Sequence, residues 1–156
     1  MRALLALLSL AGALAGFFED LVMQQMVLFQ EFQNNMDAHD AAALFVEDGA
    51  THIPPPNTVQ GVQAIEQNWV NYFSNLISIN ETIQAPMVVY DNWGAYSKSI
   101  VTVNKKNCTA DTPVTNWFEF ETEQVYNKRA QYDVTNSSVP LIVNFWAVFP
   151  SDRQCL

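Results

Sequence analysis

The feature that most constrains this chain is a change of hydrophobic period near Pro86. Upstream, apolar residues recur three and four apart, as one face of a helix requires; downstream they alternate, as the two faces of a strand require. Helices gathered first and strands gathered afterwards fold best with the helices on one side of an antiparallel sheet. That arrangement is an α+β domain.

The upstream part resolves into three helical segments. In "FEDLVMQQMVLFQEFQNNM", residues 18–36, one stripe carries Leu21, Leu28, Phe32 and Met36, with Val22, Met26 and Phe29 beside it. Asp37 offers a side-chain cap to a second, short helix that runs through three alanines to Phe45, and Asp40 suits the positive end of its dipole. After Gly61, the spacing of Val62, Ile65, Trp69, Tyr72, Phe73 and Leu76 predicts a third helix with an aromatic inner face. Between the second and third helices, "ATHI" reads as a short strand that Pro54, Pro55 and Pro56 end, because proline has no amide to give to a ladder.

Downstream, "MVVYDNWGAYSKSIVTV" predicts a hairpin with its turn near Asp91 to Gly94. "TNWFEFETEQVY" reads as a long strand, "NKKNCTADTP" as the surface loop before it, and "RAQYDV" and "LIVNFWAVF" as the remaining strands. Alternation puts Glu119, Glu121 and Glu123 on one face of the long strand and Phe118 and Phe120 on the other, the wet and dry sides of a half-exposed sheet. Asn144 interrupts a strand that is otherwise apolar on both faces, so its amide needs a structural partner or a ligand. The expected architecture is a cone-shaped, curved antiparallel sheet packed against three N-terminal helices, with an apolar hollow suited to a small hydrophobic ligand.

Composition narrows the compartment and the partners. Arg2, the apolar run after it, and small residues at Ala13 and Ala15 predict a signal peptide over residues 1–15, leaving a domain over 16–156. Glu19 and Asp20 come too soon for the ~20 apolar residues of a spanning helix, so no membrane contact is expected after cleavage. The net charge of −9 repels phosphate backbones, which excludes nucleic acid as a partner. Only 15% of residues are charged, and three acceptor sequons, at Asn80, Asn107 and Asn136, supply the expected solubility as glycans. The two cysteines, Cys108 and Cys155, are expected to pair in an oxidising compartment, a bridge worth about 4 kcal/mol by chain entropy. Neither a metal nor a cofactor is expected: no zinc spacing, phosphate loop or nucleophile elbow occurs.

The stretch "DAHDAAALFVEDGATHIPP" followed by "GVQAI" resembles the SnoaL-like group of the nuclear transport factor 2-like superfamily, which includes ketosteroid isomerases and polyketide cyclases. The resemblance covers residues 29–76 and extends more loosely into the strands. It implies a helix-lidded sheet, and a superfamily in which enzymes, ligand carriers and interaction modules share one architecture. The isomerase branch keeps a general-base aspartate directly before the proline that ends the first strand; here Ile53 stands there. Its oxyanion-holding tyrosine falls on Phe29, and a second donor on Glu119 or Phe120. The usual isomerase chemistry is therefore not expected.

The remaining proton-transfer candidates are His52, beside the vacant base position; Asp133, by the resemblance; and Glu119. If Ile53 faces the hollow, alternation turns His52 away from it unless the prolines cause a bulge. Phe29, Ile53, Trp69, Phe73, Trp117, Asn144 and Trp146 are the residues expected around a ligand. Two functions remain open: a secreted domain that holds a small hydrophobic molecule, with or without cofactor-free lyase, isomerase or cyclase chemistry, and a non-catalytic extracellular module whose open sheet face forms a homodimer or binds a partner protein.

Overall fold

The computed structural model describes residues 2–53, 57–84, 88–91, 93–132 and 139–150, of which 2–16, 88–91 and 132 by backbone alone. Helix α1 runs unbroken over Arg2–Asn34. Its buried stripe is Phe18, Leu21, Val22, Gln25, Met26 and Phe29, whereas Leu28 and Phe32 are only half-buried, so the inner face is rotated from the stripe that spacing suggested. The helix ends in a left-handed residue, Met36 (φ 56°): the amides of Met36 and Asp37 return to the carbonyls of Gln33 and Phe32, a Schellman closure. Asp37 then caps α2 (Ala38–Ala43), its Oδ1 accepting from the Asp40 amide at 3.0 Å. None of the described helices is long and apolar enough to cross a membrane.

Strand β1 (Phe45–His52) pairs with the short β2 (Val59–Gln60) before α3 (Val62–Phe73), which buries Ile65, Trp69 and Phe73. Gly61 opens α3 at φ 88°, and its amide donates to the Gly49 carbonyl at 2.7 Å. A side chain at Gly61 would be strained in that left-handed conformation. The chain continues through β3 (Ser78–Ile83), β4 (Val88–Asp91), β5 (Gly94–Lys105), β6 (Cys108–Phe120), helix α4 (Glu123–Tyr132) and β7 (Ile142–Val148). The sheet order is β2-β1-β7-β6-β5-β3, with β4 also on β5.

The mixed α+β class stands, with four corrections. The sheet is not wholly antiparallel: β1 runs parallel to β7. The described helices number four rather than three: α4 follows β6, while the strand between α2 and α3 stands where it was expected. Residues 104–113, expected as a surface loop, are mostly ladder: β5 and β6 pair down to Lys105 opposite Cys108, with Thr102–Asp111 and Asn104–Thr109 side-chain bonds across them.

The fourth correction concerns the long alternating strand, which stops at Phe120 and gives way to α4. Glu121, expected on the wet face, is 4% exposed and grips the Arg129 guanidinium, while its Oε1 also accepts from the Leu141 amide at 3.0 Å. Arg129 in turn donates to the Val139 carbonyl at 2.8 Å. Glu123 in the first turn and Arg129 in the last suit the dipole of α4, so the segment gains more as a helix than as the strand its alternation imitated. "RAQYDV" is likewise helical as far as Tyr132.

The core centres on Phe29, whose ring meets Phe145 at 4.7 Å, Trp69 and Phe118 at 5.5 Å, and Phe45 at 6.1 Å between centroids. One residue of α1 thereby ties α3 to strands β1, β6 and β7.

Candidate ligand cavity

Alternation divides the sheet into two chemically different faces. On the face turned toward α1 and α3, a cavity of about 270 Å³ is walled by Ile53, Trp69, Tyr72, Val101, Val114 and Phe145, among others. Four polar residues, Gln33, Asn68, Glu81 and Asn116, interrupt this apolar lining.

Glu81 is the centre of the site. It lies in the middle of β3 between Ile79 and Ile83, paired with Val101 of β5, and is 6% exposed. Helix α1 grips its backbone: Asn34 Oδ1 accepts from the Glu81 amide at 2.6 Å, and Gln30 and Asn34 donate their side-chain amides to its carbonyl. Asn116 Nδ2 donates to Glu81 Oε1 at 2.6 Å. Burial pushes the Glu81 carboxyl above the ordinary carboxylate range, while Ser99 and Asn116 pull it back. Ser99 Oγ finds no partner at hydrogen-bonding geometry, so Asn116 is the clear donor among the described residues. A carboxyl with a raised pKa at the wall of an apolar space is a group suited to holding and passing on a proton.

Of the residues expected around a ligand, Ile53 and Trp69 line this cavity. Phe29 and Phe73 are packed in the core instead, and Trp117, Asn144 and Trp146 lie on the opposite face of the sheet. The cause is parity: Phe145 and Ala147 of β7 line the cavity, so Asn144 and Trp146 point the other way.

His52 is on that outer face as well. Its ring stacks on Trp146 (4.8 Å, 9° between planes), Nδ1 lies 3.0 Å from Thr58 Oγ1, and Nε2 lies 3.3 Å from Asn144 Oδ1. Asn144 Nδ2 donates to Glu119 Oε2 at 2.7 Å. Two of the proton-transfer candidates are thus joined by one amide and turned away from the cavity. Asp133, Asn136 and Cys155 lie outside the described residues. Cys108 opens β6, Asn80 is exposed on β3, and Asn107 is exposed in the β5–β6 turn. Among the described residues no three of His, Cys, Asp or Glu stand together as a metal site.

Sequence reasoning missed Glu81 because β3 itself was not anticipated. The signal was present in "SINETI", where a glutamate shares the parity of two isoleucines.

No family model matches the chain, and no curated protein matches it. Solved structures do. A hypothetical protein with a ketosteroid isomerase-like fold from Catenulispora acidiphila, in complex with trimethylamine, aligns over 79% of this chain and 82% of that one, with a TM-score of 0.60 and 10% identity. A second Catenulispora acidiphila structure, in complex with S-DNPA, covers 86% and 94% at a TM-score of 0.59 and 12% identity. A putative calcium/calmodulin-dependent protein kinase II association domain from Xanthomonas campestris covers 85% and 87% at 0.61 and 14%. These likenesses show that the chain has a ketosteroid isomerase-like fold.

Proposed function

We propose that this domain binds a small, largely apolar molecule in the cavity between the sheet and helices α1 and α3, oriented by Glu81 and Asn116. The observation that carries the reading is a buried carboxyl held on both its backbone and side-chain ends at the wall of an apolar space. Groups so costly to bury are retained where they meet a guest. The cavity is at the small end of the ~300–1,000 Å³ common for ligand sites, which favours a guest of modest size. Two fold neighbours were solved in complex with added compounds, trimethylamine in one and S-DNPA in the other. If the guest is also transformed, Glu81 is the proton-handling group of a cofactor-free lyase, isomerase or cyclase.

The same reading includes a secreted chain, cleaved after residue 15, glycosylated at Asn80, Asn107 and Asn136, and closed by a Cys108–Cys155 bridge. The exposure of Asn80 and Asn107 supports it.

The test is mass spectrometry of organic extracts from protein purified out of its own host, beside the Val114→Phe variant. Val114 is 4% exposed and lines the cavity, so the larger ring fills it. A reproducible guest in the natural protein that is absent from the variant is the expected result. The same absence in both sinks the proposal.

A second reading rests on the outer face, where Trp117 and Val148 are 41% and 47% exposed. An association surface for a second copy of the chain fits them, as the fold shared with an association domain suggests. A monomer at micromolar concentration by light scattering would remove it.

A further inference from the structure

The cavity combines three features that point to one kind of guest. Four aromatic rings line it: Trp69, Tyr72, Phe145 and Phe149. Glu81 is the one carboxylate in the lining, and no Lys, Arg or His lines it among the described residues. Asn116 donates to Glu81 Oε1, a bond that favours the ionised carboxylate, against a burial that outweighs it and holds the carboxyl above its ordinary range.

A buried carboxyl without a positive partner keeps its proton more tightly, and a cation placed beside it restores the ionised form and gains the attraction between the two charges. Elsewhere the chain supplies that partner itself: Glu121 is buried against Arg129. At Glu81 no Lys, Arg or His among the described residues lines the cavity to do the same. The faces of the surrounding rings carry negative quadrupoles, which attract a cation and do nothing comparable for a neutral or anionic molecule.

We infer that the guest is a small organic cation, a protonated alkylamine or a quaternary ammonium, whose charge lies against Glu81 and whose alkyl groups lie against Trp69, Tyr72, Phe145 and Phe149. The inference rests on the cavity-binding reading above and deepens it. A guest of this type balances the carboxylate, uses the ring faces and fits the small volume.

The discriminating pair of probes is choline and its uncharged carbon analogue neohexanol, titrated into the full chain by calorimetry. Their shapes match and their charges differ. Choline is expected to bind at least about tenfold more tightly than neohexanol, the advantage that ring faces and a desolvated carboxylate give a cation. Glu81→Gln should weaken choline by about 30-fold or more and leave neohexanol within about twofold, since only the charged pair is removed. Equal affinity for the two probes overturns the inference while keeping the cavity as a binding site. So does a Glu81→Gln variant that holds choline normally. If neither probe binds but host extracts still yield a guest that Val114→Phe loses, the cation inference alone falls. Should Glu81→Gln fail to fold, the ratio of the two probes on the natural chain decides the matter.

Discussion

The two faces of the sheet carry similar kinds of polar residue to opposite effect. On the inner face, Glu81 and Asn116 are both buried and meet across strands at the wall of a cavity. On the outer face, Glu119, Asn144 and His52 form a chain of side-chain bonds, partly open to water, and none of the three lines that cavity. Acid–base chemistry needs a polar group, a perturbed environment and room for a reactant, and the inner pair has all three. The lesson is that residue type is a weak guide to a site when strand parity decides which side the residue faces.

The contrast can be broken most forcefully through the core. Phe29→Ala should cost about 3–5 kcal/mol of stability, because one ring touches four others, whereas Trp117→Ala on the open face should cost about 1 kcal/mol. Denaturant melts of the two variants measure the difference, and equal losses would mean that the outer face is covered.

A finer probe is the pH dependence of Glu81→Gln. The Glu81 carboxyl has its pKa raised in the folded chain, so its favourable contribution is complete below the ordinary carboxylate range and is lost as pH rises through the raised value. Glutamine keeps the oxygen that Asn116 needs and never ionises. The variant should therefore be more stable than the natural protein at neutral pH, by about 1.4 kcal/mol for each unit of the shift, with the gap closing as the solution is acidified. A gap that widens on acidification would reverse the assignment.

The smallest effect is expected at His52. Its two ring nitrogens meet Thr58 and Asn144, and glutamine there should cost less than about 1 kcal/mol. Guest binding, followed by the same calorimetry, should be unchanged. A lost guest would show that the two faces communicate.

Much of the frame was legible in the sequence because it rests on local chemistry. Asp37 capping α2, Gly61 opening α3 and the turn at Asp91 to Gly94 each follow from a residue's own backbone or side-chain preferences. The inner-face position of Ile53, and with it the outward turn of His52, follows from alternation. What was not legible depends on partners distant in the chain. Residues 121–126 alternate like a strand, but Glu123–Tyr132 is a helix whose Arg129 reaches back to Glu121. Asn144 and Trp146 belong to a strand covered on both faces, where apolar content cannot tell inside from outside. Glu81 sits within the "NET" sequon, and its burial depends on α1 and β6, which are far from it in the chain.

The amides of Gln30 and Asn34 that hold Glu81 have one more effect. β3 ends the run of paired strands, and a terminal strand normally shows its unused main-chain groups to the solvent, where a stranger's strand can zip on. Two side chains of α1 fill the donor and acceptor slots of Glu81 in the manner of a missing neighbour. The contact that fixes the carboxyl therefore also guards this margin of the sheet against growth into aggregates.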